Sequence, residues 1–327
     1  MSNLNPSVIE KSRLDVPVKE LGQLSSCAIG LDASASDALE LMRDNTQGSL
    51  AVLKGREIVG IVTERDFLQK GDLGENSWAE VGIDTIMSSK PITLSESALV
   101  SDVIKLMAKR NFRHVPIVNE KGDFSAMVSI KDLMDFVVQF FPKHVARFGS
   151  VTSWEYLTVD DYSEEFSILS EKSDSLSGNL FMAHLRRVCD EKPLVIDQSA
   201  AIGEVVAGLK GRRKGAMLLM EYETTIKGII TERDLLFKVY DQQGVSAQSK
   251  AQDFMTPSPH LLLNKHYLAH AINNMALYGY RNTIVVNEDR YPMGIVSLLE
   301  IFKFMGFHFY AEEISLMKKD ASGNVIL

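Results

Sequence analysis

The sequence predicts an α+β fold made of four copies of one unit, each running strand, helix, strand, strand, helix. Three observations predict it. First, one short pattern occurs four times, an apolar strand running into a hydroxyl residue and then a carboxylate three positions on: Gly60 to Asp66 with Thr63, Ala126 to Asp132 with Ser129, Gly228 to Asp234 with Thr231, and Gly294 to Glu300 with Ser297. Second, the spacing is regular: Thr63 and Ser129 lie 66 residues apart, Thr231 and Ser297 lie 66 apart, and the second pair is the first displaced by 168. Third, that displacement also takes Met87 to Met255, Pro91 to Pro259, Met107 to Met275, Arg113 to Arg281 and Phe136 to Phe304 without a gap. Duplication of a pair of units, roughly 130 residues long, is the direct reading. At the places matching Arg113 and Arg281, the first and third units are read as carrying Gln47 and Gly215.

The second unit shows the elements most clearly. Pro91-Ile-Thr-Leu opens an extended segment, and Ser95 is expected to cap a helix over Ala98 to Arg110, where Leu99, Val103, Leu106 and Met107 recur at helical spacing. His114 to Val118 reads as a strand, and Asn119 to Asp123 reads as a turn in which Gly122 is free to take positive φ. Phe124 to Val128 is a second strand, and Ser129 leads into a helix from Ile130 to about Phe140. A unit of some 55 residues cannot bury both faces of its sheet alone, so neighbours should pair sheet against sheet about a pseudo-twofold axis. The motifs would then ring a shared cleft.

The expected division is a tail over 1–14, a first paired module over 15–141 (units 15–80 and 81–141), a connector over 142–179, a second module over 180–310 (units 180–245 and 246–310), and a tail over 311–327. The connector is acidic and serine-rich: Glu155 to Asp174 holds seven acidic residues against one lysine. Its Trp154, Tyr156, Tyr162 and Phe166 suggest that parts of it dock on a module.

Composition restricts the function classes. With 327 residues, 45% hydrophobic and 24% charged, the chain is ordinary for a globular protein of two domains. It has no apolar run near the roughly 18 residues a membrane span needs, and Met1 to Leu14 lacks the apolar core of a signal peptide, so a cytoplasmic location is expected. A net charge of -8 argues against nucleic acid as the main partner. Cys27 and Cys189 are expected as packed thiols rather than a disulfide. No dinucleotide, P-loop or nucleophile-elbow signature is present, so no catalytic residue and no catalytic cofactor is assigned. His266 and His270 are four apart, but no third ligand stands at an evident spacing, and no metal is expected. The aromatic runs Phe136 to Phe141 and Phe302 to Tyr310 read either as core or as a docking face, and Lys210 to Lys214 reads as a solvated basic turn in preference to a phosphate clamp.

Two readings compete for the hydroxyl–carboxylate motif. Ser or Thr followed three residues later by an acid at a helix start is a capping box, which explains each copy alone. The same geometry suits a nucleotide, because a helix N-terminus favours phosphate and an ionised aspartate can accept both hydroxyls of a ribose. Three of the four carboxylates are aspartate, where capping favours the longer Glu, and Arg113 and Arg281 stand at matched places to meet phosphate. Glu300 departs from the pattern and is read as a cap.

These residues resemble the cystathionine-β-synthase (CBS) domain, here as two tandem pairs, or Bateman modules, covering about 15–141 and 180–310. The resemblance implies a noncatalytic regulatory protein whose clefts take an adenosine compound such as AMP, ADP, ATP or S-adenosylmethionine. It implies ribose and phosphate roles for Thr63 and Asp66, Ser129 and Asp132, Thr231 and Asp234, with Ser297 at the fourth place. It also implies strand-start positions that read adenine at Ala28 and Ile29, Pro91 and Ile92, Pro193 and Leu194, Pro259 and His260. Arg113 and Arg281 resemble the basic positions that meet phosphate in the gamma subunit of AMP-activated kinase. Ala126 replaces the usual glycine. The expected assembly is either a disc closed within one chain or a homodimer acting on an unknown protein target. The alternative is a scaffold whose clefts are degenerate and bind no nucleotide.

Overall fold

The computed structural model describes residues 13–71, 73, 78–140, 180–189, 192–319 and 325–326. The connector expected at 142–179, with its four aromatics, lies outside the described residues. Four copies of the predicted unit are present. The first holds β1 (Ala28–Gly30), α1 (Ala35–Asp44), β2 (Ser49–Lys54), β3 (Glu57–Thr63) and α2 (Glu64–Lys70); a short α3 (Ile83–Ile86) and β4 (Ser88–Ser89) follow. The second holds β5 (Leu94–Ser95), α4 (Val100–Arg110), β6 (His114–Val118), β7 (Phe124–Ser129) and α5 (Ile130–Phe140). The third holds β8 (Leu194–Asp197), α6 (Ile202–Leu209), β9 (Ala216–Glu221), β10 (Thr225–Thr231) and α7 (Glu232–Lys238). After β11 (Thr256–Pro257), the fourth holds β12 (Leu261–Leu263), α8 (Leu268–Tyr278), β13 (Asn282–Val286), β14 (Pro292–Ser297) and α9 (Leu298–Leu316). In each, the first strand pairs parallel to the second across a helix, and the second and third form an antiparallel hairpin. The hairpin of the second unit turns at Gly122, whose φ of 83° is the left-handed conformation that glycine adopts without a Cβ clash.

Helix α4 corrects one expectation. Ser95 does not cap it: that residue pairs with Val118 in the sheet, and the helix begins at Val100 with Leu99 at the N-cap, whose amide donates to Asp102 Oδ2 at 3.1 Å.

The central strands are buried on both faces, which their unbroken apolar runs require. In β9, Ala216, Leu218 and Met220 face the sheet of the fourth unit, meeting Leu263, Ile284 and Val286, while Met217 and Leu219 face helices. Side chains alternate along a strand, so one run of sequence serves two cores. In the first module the two sheets also join through main chain: the Phe124 amide donates to the Arg56 carbonyl at 3.0 Å and the Met127 amide to the Ser25 carbonyl at 2.7 Å.

Helices join the modules. The first and third units share one core, in which Phe67, Leu68, Leu235 and Leu236 pack with Trp78 and Tyr240. The second and fourth share another, in which α9 lies on α4 and Gly306 sits against Ala108 and Ile104. The four units therefore close a ring in the order first, second, fourth, third within one chain. The even-unit aromatics serve this contact: Phe136, Phe302 and Tyr310 are buried in it, while Phe307 remains exposed. Cys27 packs on one core and Cys189 on the other, with no disulfide between them. Among the described residues no helix is long and apolar enough to cross a membrane.

Candidate functional site

Each motif forms the capping box. Asp66 Oδ2 accepts from the Thr63 amide at 2.9 Å and its hydroxyl at 2.6 Å; Asp132 does the same for Ser129 at 2.7 and 2.7 Å, and Asp234 for Thr231 at 2.9 and 2.7 Å. Glu300 caps the Ser297 amide at 2.8 Å and takes its hydroxyl as well. One oxygen of every carboxylate is thus committed to its own helix start. The other oxygen has matching neighbours in the odd units at different distances: Asp66 Oδ1 accepts from the Ser88 hydroxyl at 2.8 Å with the Lys70 ammonium at 3.8 Å, and Asp234 Oδ1 has the Lys238 ammonium at 2.7 Å and the Thr256 hydroxyl at 3.4 Å. Asp132 Oδ1 has no hydrogen-bond partner among the described residues.

A second arrangement occupies the centre of the ring. The odd units carry the same four residues, Thr63-Glu-Arg-Asp66 and Thr231-Glu-Arg-Asp234, and the inner pair is exchanged between them. Arg65 Nη1 donates to Glu232 at 2.9 Å, and Arg233 Nη1 donates to Glu64 at 3.0 Å. The even units add one arginine to each: Arg113 reaches Glu232 at 2.5 Å and Arg281 stands 3.7 Å from Glu64. Every member of this set maps onto its counterpart under the displacement of 168, so the contact is isologous about the pseudo-twofold axis. Glu64 is 7% and Glu232 2% exposed, and only such pairing makes a buried carboxylate tolerable. Burial pushes the Glu64 carboxyl up, and Arg281, Arg233 and Arg113 oppose that rise. Burial also works against the Arg113 charge, yet Glu232 outweighs it and holds the guanidinium above its ordinary value; for Arg281 burial wins over Glu64 and the pKa falls.

The strand registers explain where these arginines stand. Ser49 opposes Thr63, His114 opposes Ser129, Ala216 opposes Thr231 and Asn282 opposes Ser297. The residues just before them are Gly48, Arg113, Gly215 and Arg281, and the carbonyl of each accepts from the first amide of the helix after the hairpin at 2.8 to 3.1 Å. Gly48, not Gln47, is therefore the counterpart of Arg113 in the first unit; the odd units differ by one residue in the hairpin turn after the strand, Gly55-Arg56 against Tyr222-Glu223-Thr224. Glycine is needed there. A Cβ on Gly48 would lie 3.0 Å from Glu64 Oε1 and one on Gly215 would lie 2.6 Å from the Glu232 Cδ, so the odd units empty the position that the even units fill with arginine.

A cavity of about 550 Å³ opens from the second module onto this cluster. Its floor holds Arg113, His114 and Lys131 from the second unit with Glu64, Glu232, Arg233 and Arg281; its outer wall holds Ile229, Thr231 and Asp234, and Thr256 to His260. His260 stands edge-on to Tyr278 and Tyr280 at 4.5 and 5.7 Å. His114 is held neutral, its pKa lowered to about 3 by burial and by Arg281, Arg113 and Arg233.

Of the residues singled out from sequence, Arg113, Arg281, Ser129, Thr231, Asp234, Ser297, Pro259 and His260 line this one cavity. Thr63, Asp66, Asp132, Ala28, Ile29, Pro91, Ile92, Pro193 and Leu194 do not. The buried glutamates, Arg65 and Arg233 went unnoticed because they fill the variable places of the motif. Their identity in the odd units, against Ile130-Lys131 and Leu298-Leu299 in the even ones, was the available signal. His266 lies just before α8 and His270 on it; the Nδ1 of His266 accepts from the Leu263 amide and that of His270 from the Tyr267 amide, both at 3.1 Å.

The family model for the CBS domain matches residues 25–71 and 83–139. Among curated proteins, a CBS domain-containing protein of Arabidopsis thaliana, CBSCBSPB5, is 18% identical over 247 residues, which is 75% of this chain and 44% of that protein. The meiotically up-regulated gene 70 protein of Schizosaccharomyces pombe is 20% identical over 326 residues, 91% of this chain and 43% of that protein. The chain thus spans less than half the length of these relatives. Among solved structures, a Methanocaldococcus jannaschii protein described as a candidate archaeal homologue of g-AMPK superposes with a TM-score of 0.69 at 15% identity, covering 89% of this chain and all of that one. An uncharacterized conserved protein of Pyrococcus horikoshii gives 0.53 at 15%, covering 88% and 99%. Both likenesses are of fold.

Proposed function

The chain is a CBS-domain protein, and from that premise we propose that it is a noncatalytic sensor whose second module, over 180–310, binds an adenine nucleotide and passes the event to the first, over 15–141. The observation that carries this is the cavity: about 550 Å³ lies within the usual range for small-molecule sites, and its walls differ in kind. Ile229, Pro257, Pro259 and the His260–Tyr280 edge offer an apolar slot for a purine. Asp234 stands beside it for the ribose, and Arg113, Arg281 and Lys131, with the N-terminal ends of α5 and α9, offer positive potential for phosphate. To take a ribose, Asp234 must release Lys238, which keeps the Phe254 carbonyl at 2.9 Å as its other partner. Mechanistically this is linkage, in which a ligand that bridges units favours the packing that closes on it by no more than its differential affinity.

One observation favours the scaffold instead: every motif carboxylate caps its own helix, and Asp66 and Asp234 both have their two oxygens engaged. Titration calorimetry of ligand-free protein with AMP, ADP, ATP, S-adenosylmethionine and NAD separates the readings. Saturable binding of a phosphorylated nucleotide is expected. No heat and no thermal shift with any of them would establish the scaffold.

A further inference from the structure

The cavity arginines already have anionic partners. Arg113 meets Glu232 at 2.5 Å and Arg281 stands 3.7 Å from Glu64, each pair joining one module to the other across the ring. Both carboxylates are buried, and both sit in recesses beside Gly48 and Gly215, where a Cβ would stand 3.0 Å from Glu64 Oε1 and 2.6 Å from the Glu232 Cδ. The recess is built to present a carboxylate to a cavity-lining guanidinium. We propose that Glu64 and Glu232 are resident competitors for the phosphate-binding arginines, setting the affinity of the cavity and singling out ligands with enough negative charge to take those arginines over. This rests on the nucleotide reading of the cavity.

The electrostatics support competition rather than coexistence. A guanidinium has five donors and could touch two anions, but phosphate beside an ionised, nearly dry carboxylate meets repulsion that water does not screen. Each glutamate has a second partner to fall back on, since Arg65 holds Glu232 at 2.9 Å and Arg233 holds Glu64 at 3.0 Å. A nucleotide's phosphates therefore take Arg281, the loosely held arginine, and then Arg113, leaving each glutamate to the odd-unit arginine. The ties across the ring are exchanged for ties to the ligand. Adenosine, without phosphate, does not enter this exchange. S-adenosylmethionine, which is cationic at sulfur, is disfavoured by the same arginines.

The test is calorimetry on the full chain with ATP and adenosine, for wild type, Glu232→Gln, Arg113→Gln and the double variant, with thermal melts to show that each is folded. Glu232→Gln keeps the shape and removes the charge. ATP affinity should rise roughly fivefold or more, in the range of ordinary site coupling, while adenosine stays within about twofold, and the gain should vanish when Arg113 is absent. If Glu232→Gln does not fold, Glu64→Gln against Arg281→Gln is the same cycle on the other half. ATP binding equally well to wild type and both Glu→Gln variants would overturn the competition and leave the nucleotide reading standing. Equal gains for ATP and adenosine would also overturn it, since Glu232 would then act on cavity shape. No binding of either ligand to any variant would overturn both.

Discussion

Asp234 has two jobs in the proposed site, and Asp234→Asn separates them. Its Oδ2 caps α7 through the Thr231 amide at 2.9 Å and hydroxyl at 2.7 Å, and its Oδ1 faces Lys238 and Thr256 at the cavity wall. Asparagine keeps one carbonyl oxygen for the Thr231 amide, so the cap survives. Lys238 loses its i,i+4 ion pair, a type worth about 0.3–0.5 kcal/mol on a helix, and keeps the Phe254 carbonyl at 2.9 Å. Total destabilisation should stay below about 1 kcal/mol, read as a small shift in urea midpoint with an unchanged slope. Binding should suffer far more. A hydrogen bond to a charged group contributes about 1.5–3 kcal/mol, and the amide presents a donor where the ribose needs an acceptor, so nucleotide affinity should drop roughly 10- to 150-fold. The parallel change Asp66→Asn, at a buried carboxylate that does not line the cavity, should leave that affinity unaltered. Wild-type affinity in Asp234→Asn would refute the ribose role and leave Asp234 as a cap alone.

Three further outcomes follow from the packing. His114, His266 and His270 have folded pKa values of about 3, 4 and 4, burial being the largest cause in each, against an ordinary value near 6.5. The unfolded chain therefore takes up protons first, so this stability is complete above pH 6.5 and is lost as pH falls toward 4, by up to about 1.4 kcal/mol per pH unit for each histidine; a urea midpoint that does not move between pH 7 and 5 would contradict it. Gly306→Leu should lower stability by about 1–3 kcal/mol, because even a Cβ there would stand 2.8 Å from the Ala108 Cβ where α9 crosses α4, and an unchanged melt would mean that the even units are not packed this way. Gly228→Ala should cost more than Gly60→Ala: both new methyls meet a methionine sulfur at 2.3 Å, which can swing away, but at Gly228 the Thr256 carbonyl is also 3.0 Å off and cannot. Paired melts of the two variants decide it.

Repetition made the local fold legible. The bounds of β6, β7 and α5 follow from apolar runs ended by a turn at Gly122 and a hydroxyl at Ser129, and duplication gave four chances to see them. Ser95 misled because a serine before an amphipathic run suits a cap, yet β5 extends one residue further to pair with β6 and leaves the cap to Leu99. Gln47 misled because a fixed displacement hides a one-residue difference in a turn, which only strand register reveals. The Glu–Arg exchange was hidden for another reason. It joins residues about 168 apart, and no local pattern distinguishes a buried glutamate at the first position of a helix from a solvated one.

The pseudo-twofold is broken where the cavity lies, and the breaks fix a direction for the ligand. Under the displacement of 168, Lys131 becomes Leu299, His114 becomes Asn282 and Asp132 becomes Glu300. The second unit thus lends the cavity an ammonium ion beside Arg113, while the fourth lends Leu299, Tyr280 and His260. A nucleotide should accordingly run its phosphates from Arg281 past Arg113 toward Lys131 of the second unit and lay its base against His260 and Tyr280 of the fourth. Among the described residues Lys131 pairs with Asp135 one turn along an exposed helix face, at 2.5 Å, so replacing it by alanine should hardly disturb the fold. Lys131→Ala should weaken ATP roughly three- to fivefold at low salt, with the difference fading as ionic strength rises, and should leave adenosine unchanged. An equal loss for both ligands, or none for ATP, would mean that the phosphates lie elsewhere and that the asymmetry of the two even units does not orient the ligand.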